Sequence, residues 1–510
     1  MTRSRFAGWN FASALLFAIV TMVVGVFATP WLLQWLGEDR FGAYKAVIDW
    51  FGYLALLDFG ILGAMQPLFA EALGKSDTSA MGLLVATGSR LYARVVGVMI
   101  VVGLIITSMI THLIPVPAPL TGELRIASLI VVAGLLLLPL SAPFRIVLES
   151  DQRGYRVNNL LVVQSLATTA LSLGFAYYGG GIAGQALAVL IASLPYHLRL
   201  LTYGRRRFPR EMRDAAAATP ADAATARARL LSLNRPTFVL NLCGRVGLLS
   251  DNIVIAALLG PAAVVPFFAT QRIAVMVQGQ LQSLGNATWA GLAQLHAAGE
   301  RELFNRRLVD LTGLVAALGV ATLIPVIAFN EAFVTRWLGA QRFGGQALTL
   351  VAVLNAFLLS ISSLWGWALN GTGRVEQIVR PFGIQTVVNL VMSIALTKAL
   401  GLIGPMLGTT LGYLSVSIWY FPVLMHRAFG VSGGELRRAI AKPVLLGTPF
   451  GIATWMLART YAPTGWLMLL AEMMLATACY LCAWWLVLLP KSERHLYTKR
   501  VAGVLRYQSA

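Results

Sequence analysis

The sequence is short of charge, cysteine and histidine. Asp, Glu, Lys and Arg make up 12% of its 510 residues, about half of the roughly 25% that soluble globular domains carry. The 3 cysteines lie in apolar segments, where cysteine acts as a small hydrophobe, and the 5 histidines are scattered singly. This composition excludes an ordinary soluble domain and gives no sign of a metal site.

Nucleotide-binding and catalytic motifs are missing as well. The DFG triplet at 58–60 lacks the glycine-rich loop and the catalytic loop that accompany it in kinases. The glycine-rich segment at 179–184 is a turn between apolar segments and does not follow a strand, as a phosphate-binding loop would. We therefore expect a protein that is not an enzyme and uses no cofactor. Any driving force must come from an ion gradient, the membrane potential or the substrate's own gradient.

Apolar runs are abundant, and 57% of the residues are hydrophobic. A helix rises 1.5 Å per residue, so it needs about 20 apolar residues to cross roughly 30 Å of hydrocarbon. The runs predict an all-α integral membrane protein with about 14 transmembrane helices. The predicted spans are 11–33, 41–69, 91–114, 124–148, 157–178, 182–203, 236–258, 264–290, 308–328, 346–369, 378–400, 402–425, 438–459 and 464–489.

Positive charge is distributed unevenly between the loops. If the amino terminus is cytoplasmic, the loops and tails on that side hold about three quarters of the 40 Lys and Arg residues. This asymmetry predicts that both termini lie in the cytoplasm. It also explains the net charge of +19 as a topology signal, so nucleic acid is not expected as a partner.

The longest connection between spans, 204–235, is basic and separates six spans from eight. Thr219, Pro220 and Asp222 resemble a helix start, so the connection is either a partly helical interfacial segment or a solvated linker. The carboxy-terminal tail is either a short helix on the inner leaflet or a disordered end. The predicted organisation is an amino-terminal six-helix lobe at 1–203, the linker at 204–235, a carboxy-terminal six-helix lobe at 236–425, spans thirteen and fourteen at 426–490, and a cytoplasmic tail at 491–510.

Two similar segments predict helix ends. WLGEDRFG at 35–42 and WLGAQRFG at 337–344 share most of their residues, and each follows an odd-numbered span. Trp is enriched at membrane interfaces and Gly commonly terminates helices. We expect each segment to end a helix on the outer side of the membrane.

Ionisable side chains within the predicted spans are the main functional candidates. Each costs about 2.5 to 3.5 kcal/mol at the bilayer centre on insertion scales unless it meets water or a partner. The last of them, Glu472, is explained as well by a structural role as by a functional one. The ionisable residues in the spans are Asp49, Asp58, Arg245, Asp251, Arg272 and Glu472.

Polar residues recur at helical spacing in spans seven and eight, at steps of four and seven residues. This spacing places each set on one helix face and indicates a water-filled path between helices. For single Asn and Gln residues we favour hydrogen bonding between neighbouring helices, whereas for Arg245 and Arg272 we favour a functional role. The residues are Asn241, Arg245 and Asn252 in span seven and Gln271, Gln278 and Gln282 in span eight.

Arg245 and Arg272 are the candidates for binding an anion. A planar guanidinium group forms paired hydrogen bonds with phosphate oxygens and stays charged. An ion pair with Asp251 on the neighbouring helix is an alternative explanation of Arg272. The two roles are compatible with each other.

Asp49 and Asp58 lie nine residues apart in span two, so on a straight helix with about 100° per residue they point in opposite directions. Lys45, four residues before Asp49, predicts a local ion pair near the outer rim. Asp58 is deeper and has no such partner in the sequence. We therefore take Asp58 as the candidate for a counter-charge or a proton carrier.

Short motifs along the chain carry a family resemblance. They are Arg5 and Asn10 ahead of the first span, and the segments 30–44, 50–61, 250–260, 269–273, 336–339 and 368–373. Together with the span count they resemble Wzx-type polysaccharide flippases of the multidrug, oligosaccharidyl-lipid and polysaccharide exporter superfamily. The resemblance extends over most of the chain.

The resemblance implies two six-helix lobes in a V-shaped, alternating-access arrangement, with spans thirteen and fourteen near a lipid-facing groove. Such proteins move undecaprenyl-(pyro)phosphate-linked oligosaccharide from the inner to the outer leaflet of the bacterial inner membrane. They serve lipopolysaccharide O-antigen, exopolysaccharide or capsule biosynthesis, and the motifs do not separate these pathways. The implied partners are this lipid-linked oligosaccharide, membrane lipids, a polysaccharide polymerase and a chain-length regulator.

The resemblance, taken with the polar helix faces, assigns a role to each candidate residue. The anionic carrier needs arginine, the sugar hydroxyl groups need amide side chains, and a coupling ion or counter-charge needs carboxylates. The assigned residues are Arg245 and Arg272 for the phosphate, Asn241, Asn252 and Gln278 for the sugars, and Asp58 and Asp251 for ion coupling or counter-charge.

Other functions compete with this assignment. A cation-coupled drug antiporter needs an acidic cavity, which the intramembrane aspartates favour and the two arginines oppose. A lipid II flippase shares the architecture, although the motifs resemble the Wzx type more. A membrane polymerase or ligase would need a large outer loop, whereas the longest outer connection, 114–124, is short.

Overall fold

The computed structural model is helical, with no strand among the residues that it describes. These residues are 3–58, 60, 61, 65, 68, 69, 72, 73, 75, 77–151, 153–207, 224, 228, 235–374, 376–489 and 494. Most of the basic connection and nearly all of the carboxy-terminal tail lie outside them, and so do the helices considered for both. The all-α fold class expected from the sequence is confirmed.

The chain divides into two compact units. The first contains Met1–Val265 and Thr397–Pro405, and the second contains Pro266–Leu396 and Met406–Ala510. The first nine helices are α1 (Arg3–Leu36), α2 (Glu38–Gly52), α3 (Thr78–Leu113), α4 (Thr121–Leu135), α5 (Leu137–Ser150), α6 (Gly154–Tyr177), α7 (Gly181–Arg207), α8 (Arg235–Leu259) and α9 (Val264–Ala297). Those that follow are α10 (Arg301–Leu338), α11 (Gln346–Gly371), α12 (Glu376–Leu400), α13 (Gly404–Gly412), α14 (Ile418–Phe429), α15 (Gly433–Thr460) and α16 (Trp466–Val487).

Eleven helical stretches among the described residues are long and apolar enough to cross a membrane, or up to 12 if the bent helix α8 is one span. The count of fourteen predicted from the sequence is therefore not confirmed. Two features account for the difference. The second predicted span lies partly on residues outside the description, and spans eleven and twelve form one stretch, Glu376–Phe429, of 54 residues.

Both WLG segments end a helix, as expected. Gly37 follows α1 with φ 79°, and Gly339 follows α10 with φ 101°. Each glycine donates its backbone N–H four residues back, to Leu33 and Thr335 respectively. A residue with a Cβ is strained at positive φ, so glycine allows the chain to turn at these points.

One close approach fixes α2 within the first unit. A Cβ on Gly42 would lie 1.8 Å from the carbonyl oxygen of Pro261, in the short turn between α8 and α9. Only glycine admits this contact, because real Cβ atoms do not come within 3.0 Å of another heavy atom. The contact seats α2 against the end of α8, and this packing positions the acidic residues described below.

Buried aromatic and aliphatic clusters hold each unit together. In the first unit, Tyr196 and Leu200 of α7 pack with Leu148 and Val157. In the second unit, Tyr480 of α16 is buried beside α10, and its hydroxyl donates to the carbonyl of Pro443 at 2.7 Å. Because lipid is as apolar as these side chains, shape and hydrogen bonding hold such helices together.

Candidate functional site

A group of polar side chains collects where α2 meets α8 in the first unit. The side-chain amide of Asn252 donates to Oδ2 of Asp49 at 2.7 Å. Lys45 also acts on Asp49 electrostatically. The sequence predicted the lysine but not the bond between helices, because it does not show which face of α2 turns towards α8.

Asp251 lies beside this hydrogen bond. Its Oδ1 is buried and has no hydrogen-bond partner among the described residues, and the same holds for Oδ1 of Asn252. Asp49 acts on Asp251 electrostatically, and both carboxylates act on Tyr53. We call Asp49, Tyr53, Asp251 and Asn252 the paired-acid cluster. It brings together two carboxyl groups and acceptor oxygens that are open to a proton or a cation.

Asp58, the other predicted carboxylate, belongs to a separate environment. It ends the 3-10 turn Tyr53–Asp58 that follows α2, and it interacts with Tyr92 of α3. Asp58 has different neighbours from Asp49 because α2 ends at Gly52 and the chain continues as a 3-10 turn, whereas the sequence spacing assumed one straight helix. Asp251 is brought together with Asp49, which the sequence had assigned to the rim.

The predicted polar face of α8 is interrupted by a bend. The helix turns by 42° between Gly247 and Leu249. Asn241 and Arg245 lie before the bend and are exposed, whereas Asn252 lies after it and is partly buried. Sequence spacing assumes a straight helix, so it joined residues that the bend assigns to two different environments.

Arg272 and Gln278 both lie on α9 in the second unit. The guanidinium carbon of Arg272 lies 5.4 Å from the centre of the Phe268 ring. Its Nε is buried and has no hydrogen-bond acceptor among the described residues. Gln278 is partly buried, two turns further along the helix. The ion pair between Arg272 and Asp251 stays a prediction.

Two pockets lie within the second unit. The larger has a volume of about 700 Å³ and is lined almost wholly by apolar side chains of α10, α11 and α15, including Phe357 and Trp455. The smaller, of about 350 Å³, lies against α16 and contains Glu472 and Tyr461. The larger pocket is suited to an apolar chain. Glu472 lines the smaller pocket.

Sequence reasoning missed Tyr53, although a signal was present. Tyr53 follows Asp49 by four residues, the spacing of neighbours on one helix face. No group of three or more His, Cys, Asp or Glu side chains suited to a metal ion occurs among the described residues.

Comparison with known proteins gives a family match and several structural neighbours. Residues 7–290 match the family model described as "Polysaccharide biosynthesis protein". No curated protein matches the chain. Among solved structures, the lipid II flippase MurJ in an inward closed conformation has a TM-score of 0.70 at 12% identity, covering 92% of this chain and 99% of that one.

Two further structures belong to transporters. An inward-facing multidrug resistance MATE family transporter of the MOP superfamily has a TM-score of 0.64 at 16% identity, covering 84% of this chain and 99% of that one. A MOP superfamily transporter from Pyrococcus furiosus, whose binding pocket is described as having reverse polarity, has a TM-score of 0.56 at 14% identity, covering 88% and 96%. At such identities these matches establish the fold alone.

Proposed function

The chain belongs to the polysaccharide biosynthesis protein family, and from this premise we propose that it flips undecaprenyl-linked oligosaccharide from the inner to the outer leaflet of the bacterial inner membrane. The protein is a multi-pass membrane transporter and not an enzyme. We propose that it works by alternating access and that both termini are cytoplasmic. The products would feed O-antigen, exopolysaccharide or capsule assembly.

The observation that carries this proposal is the open donor of Arg272. A buried guanidinium N–H without an acceptor among the described residues is unfavourable, so an anion that binds there gains a strong charge-assisted hydrogen bond. A phosphate of the lipid carrier meets this need. The exposed Arg245 offers a second guanidinium group in the first unit. We assign both arginines to the phosphate groups, and Asn241, Asn252 and Gln278 to the sugar hydroxyls.

The prenyl chain of the substrate stays in apolar surroundings throughout. The large pocket lined by α10, α11 and α15 is open to an apolar chain and nearly free of polar groups. This pocket supports the proposal because a prenyl chain held there leaves only the phosphate and the sugars to cross by a polar path. Spans thirteen and fourteen correspond to α15 and α16, and of these two helices α15 lines the large pocket.

Two sources can drive the movement. A carrier with about two negative charges that moves outward across an inside-negative membrane gains roughly 4 to 5 kcal/mol per 100 mV. Alternatively, a proton that enters the paired-acid cluster, or Asp58, returns inward as the substrate leaves. Two carboxyl groups that repel each other electrostatically resist joint ionisation, which suits the cluster to gaining and losing one proton.

A flipping assay in liposomes tests the proposal. The purified protein is reconstituted with the lipid-linked oligosaccharide of its source cell, and outer-leaflet substrate is measured under an imposed potential or an imposed pH gradient. We expect flipping that protein-free liposomes lack. Transport that ignores the potential and stops without a pH gradient would exclude potential-driven uniport and leave proton antiport.

The paired-acid cluster favours one second candidate, a cation-coupled antiporter of drugs or organic cations. Two carboxyl groups close together attract a cation, and one structural neighbour is a multidrug transporter. The same liposomes decide between the candidates. Uptake of an organic cation such as ethidium, without flipping of the lipid-linked oligosaccharide, would support the antiporter and overturn the flippase.

A further inference from the structure

Two tryptophans stack on each other in the second unit. Trp289 of α9 and Trp367 of α11 have ring centres 6.5 Å apart and ring planes at 24°. Trp289 is 37% exposed, and Trp367 is partly buried. Trp289 thus keeps more than a third of its surface exposed, at the end of α9 that the charge pattern assigns to the cytoplasm.

Glycines hold this pair in place. A Cβ on Gly371 of α11 would lie 2.9 Å from the Trp289 ring, and a Cβ on Gly285 of α9 would lie 3.1 Å from the Trp367 ring. Each tryptophan therefore lies over a glycine of the opposite helix, and each glycine is four residues from the tryptophan of its own helix. Because the rings rest on backbone rather than on mobile side chains, the pair is pre-organised to bind a ligand.

The tryptophan pair continues a row of amide side chains. Trp289 follows Gln282 by seven residues on the face that also carries Gln271 and Gln278. On α11, the exposed Asn370 lies three residues after Trp367 and so beside it on that helix. Ring faces and amide groups together make a surface that is apolar in its centre and polar at its edge.

Sugars are the ligands that fit such a surface. A pyranose ring presents C–H groups on its faces and hydroxyl groups around its rim. The electron-rich face of an indole attracts the C–H face, and amides both donate to and accept from hydroxyl groups. We propose that Trp289 and Trp367 bind a sugar ring of the lipid-linked oligosaccharide at the cytoplasmic end of the transport path. This site rests on the proposed function and adds a sugar subsite to it.

Interfacial tryptophans also occur as simple membrane anchors, and Trp419 at the start of α14 is such a residue. It is 59% exposed, its indole N–H donates to the carbonyl of Ser415 in the preceding turn, and its ring meets Tyr420 edge-on. Among the described residues, it has no stacked partner on another helix. Trp419 therefore serves as the control, an exposed tryptophan on another helix of the same unit.

The first test compares two substrates in the liposome assay, the lipid-linked oligosaccharide of the source cell and sugar-free undecaprenyl diphosphate. Trp289→Ala and Trp367→Ala should slow flipping of the oligosaccharide carrier about tenfold, which corresponds to about 1.4 kcal/mol. Flipping of the sugar-free carrier should change less than twofold. Trp289→Phe should keep at least half of the wild-type rate, and Trp419→Ala should change neither rate by more than twofold.

Equal losses with both carriers, or no loss with either, would overturn the sugar subsite while leaving the flippase intact. A wild-type protein that flips neither carrier would instead overturn the proposed function.

A second measurement of sugar binding needs no transport. Free oligosaccharide, released from the carrier by mild acid, should quench the tryptophan fluorescence of the wild type and of Trp419→Ala. Unchanged quenching in Trp289→Phe/Trp367→Phe, or none in the wild type, would also overturn the subsite.

Discussion

Arg272 is the residue at which burial, charge and an open hydrogen-bond donor coincide. The sequence placed it inside a span, and an arginine there is costly unless it meets a partner. The structure adds that its Nε is buried without an acceptor among the described residues, while Phe268 covers the cation. This arrangement is poor for stability and suited to binding an anion, which ties the residue to transport.

We expect Arg272→Glu to reduce surface glycan by more than tenfold, because a phosphate is then repelled and a charge-assisted bond worth about 2 kcal/mol or more is lost. Arg272→Lys should give an intermediate loss, since lysine keeps the charge but not the planar fork. Glycan is measured on cells that depend on the variant. Arg437→Glu, on the exposed side of α15, is the control, and undiminished glycan in Arg272→Glu would remove this arginine from the mechanism.

Asp251 tests the coupling scheme. If the paired-acid cluster carries the proton, Asp251→Asn should abolish the response of flipping to an imposed pH gradient while leaving the response to potential. The variant should also denature at a slightly higher temperature, because it removes a like charge beside Asp49. The control is Asp310→Asn, whose carboxylate lies 3.7 Å from Arg307. An unchanged pH response in Asp251→Asn, together with a lost response in Asp58→Asn, would move the coupling site to Asp58.

At the scale of elements, the contact between α2 and the turn after α8 decides where the acids lie. The sequence described α2 as part of one long span with two opposed aspartates. The close approach of Gly42 to Pro261 and the bend of α8 instead bring Asp49 to Asn252. The contact of Gly42 has no local sequence signal, because it depends on which helix packs against which.

Gly42→Ala should destabilise the protein by about 1 to 3 kcal/mol, the usual cost of overpacking, since the new methyl group meets backbone that cannot turn aside. The change should also weaken flipping, because it separates Asp49 from Asn252. Gly97→Ala on α3 is the matched control, since nothing lies within 4 Å of its Cβ. Thermal denaturation in detergent measures both variants, and equal midpoints would show that α2 tolerates displacement.

At the scale of the whole molecule, the number of crossings decides where the termini lie. The charge pattern predicts an even number and cytoplasmic termini, whereas the described residues contain 11 or up to 12 qualifying helices. The stretch Glu376–Phe429 is too long for one crossing, since its 54 residues would extend about 80 Å as a single helix. Two crossings there would raise the count to 13, and the predicted span 41–69 lies partly outside the described residues, so fourteen stays a prediction.

Reporter fusions test this topology. Green fluorescent protein after Ala510 should fluoresce, and alkaline phosphatase at the same place should be inactive, because both report a cytoplasmic position. Alkaline phosphatase in the outer connection after Ile114 should be active and serves as the control. Active phosphatase after Ala510 would mean an odd number of crossings and would overturn the predicted orientation of the carboxy terminus.

The sequence by itself determined the membrane class, the helical fold, the family resemblance and the helix ends at Gly37 and Gly339. These follow from composition, run length and backbone preference, which are local properties that each segment carries alone. Only the tertiary structure decided that Asp49 pairs with Asn252, that α8 bends between Arg245 and Asn252, and that Trp289 stacks on Trp367. The two contacts require that two helices pack at a particular depth and a particular rotation about their axes. The shape of the packed helix surfaces sets both.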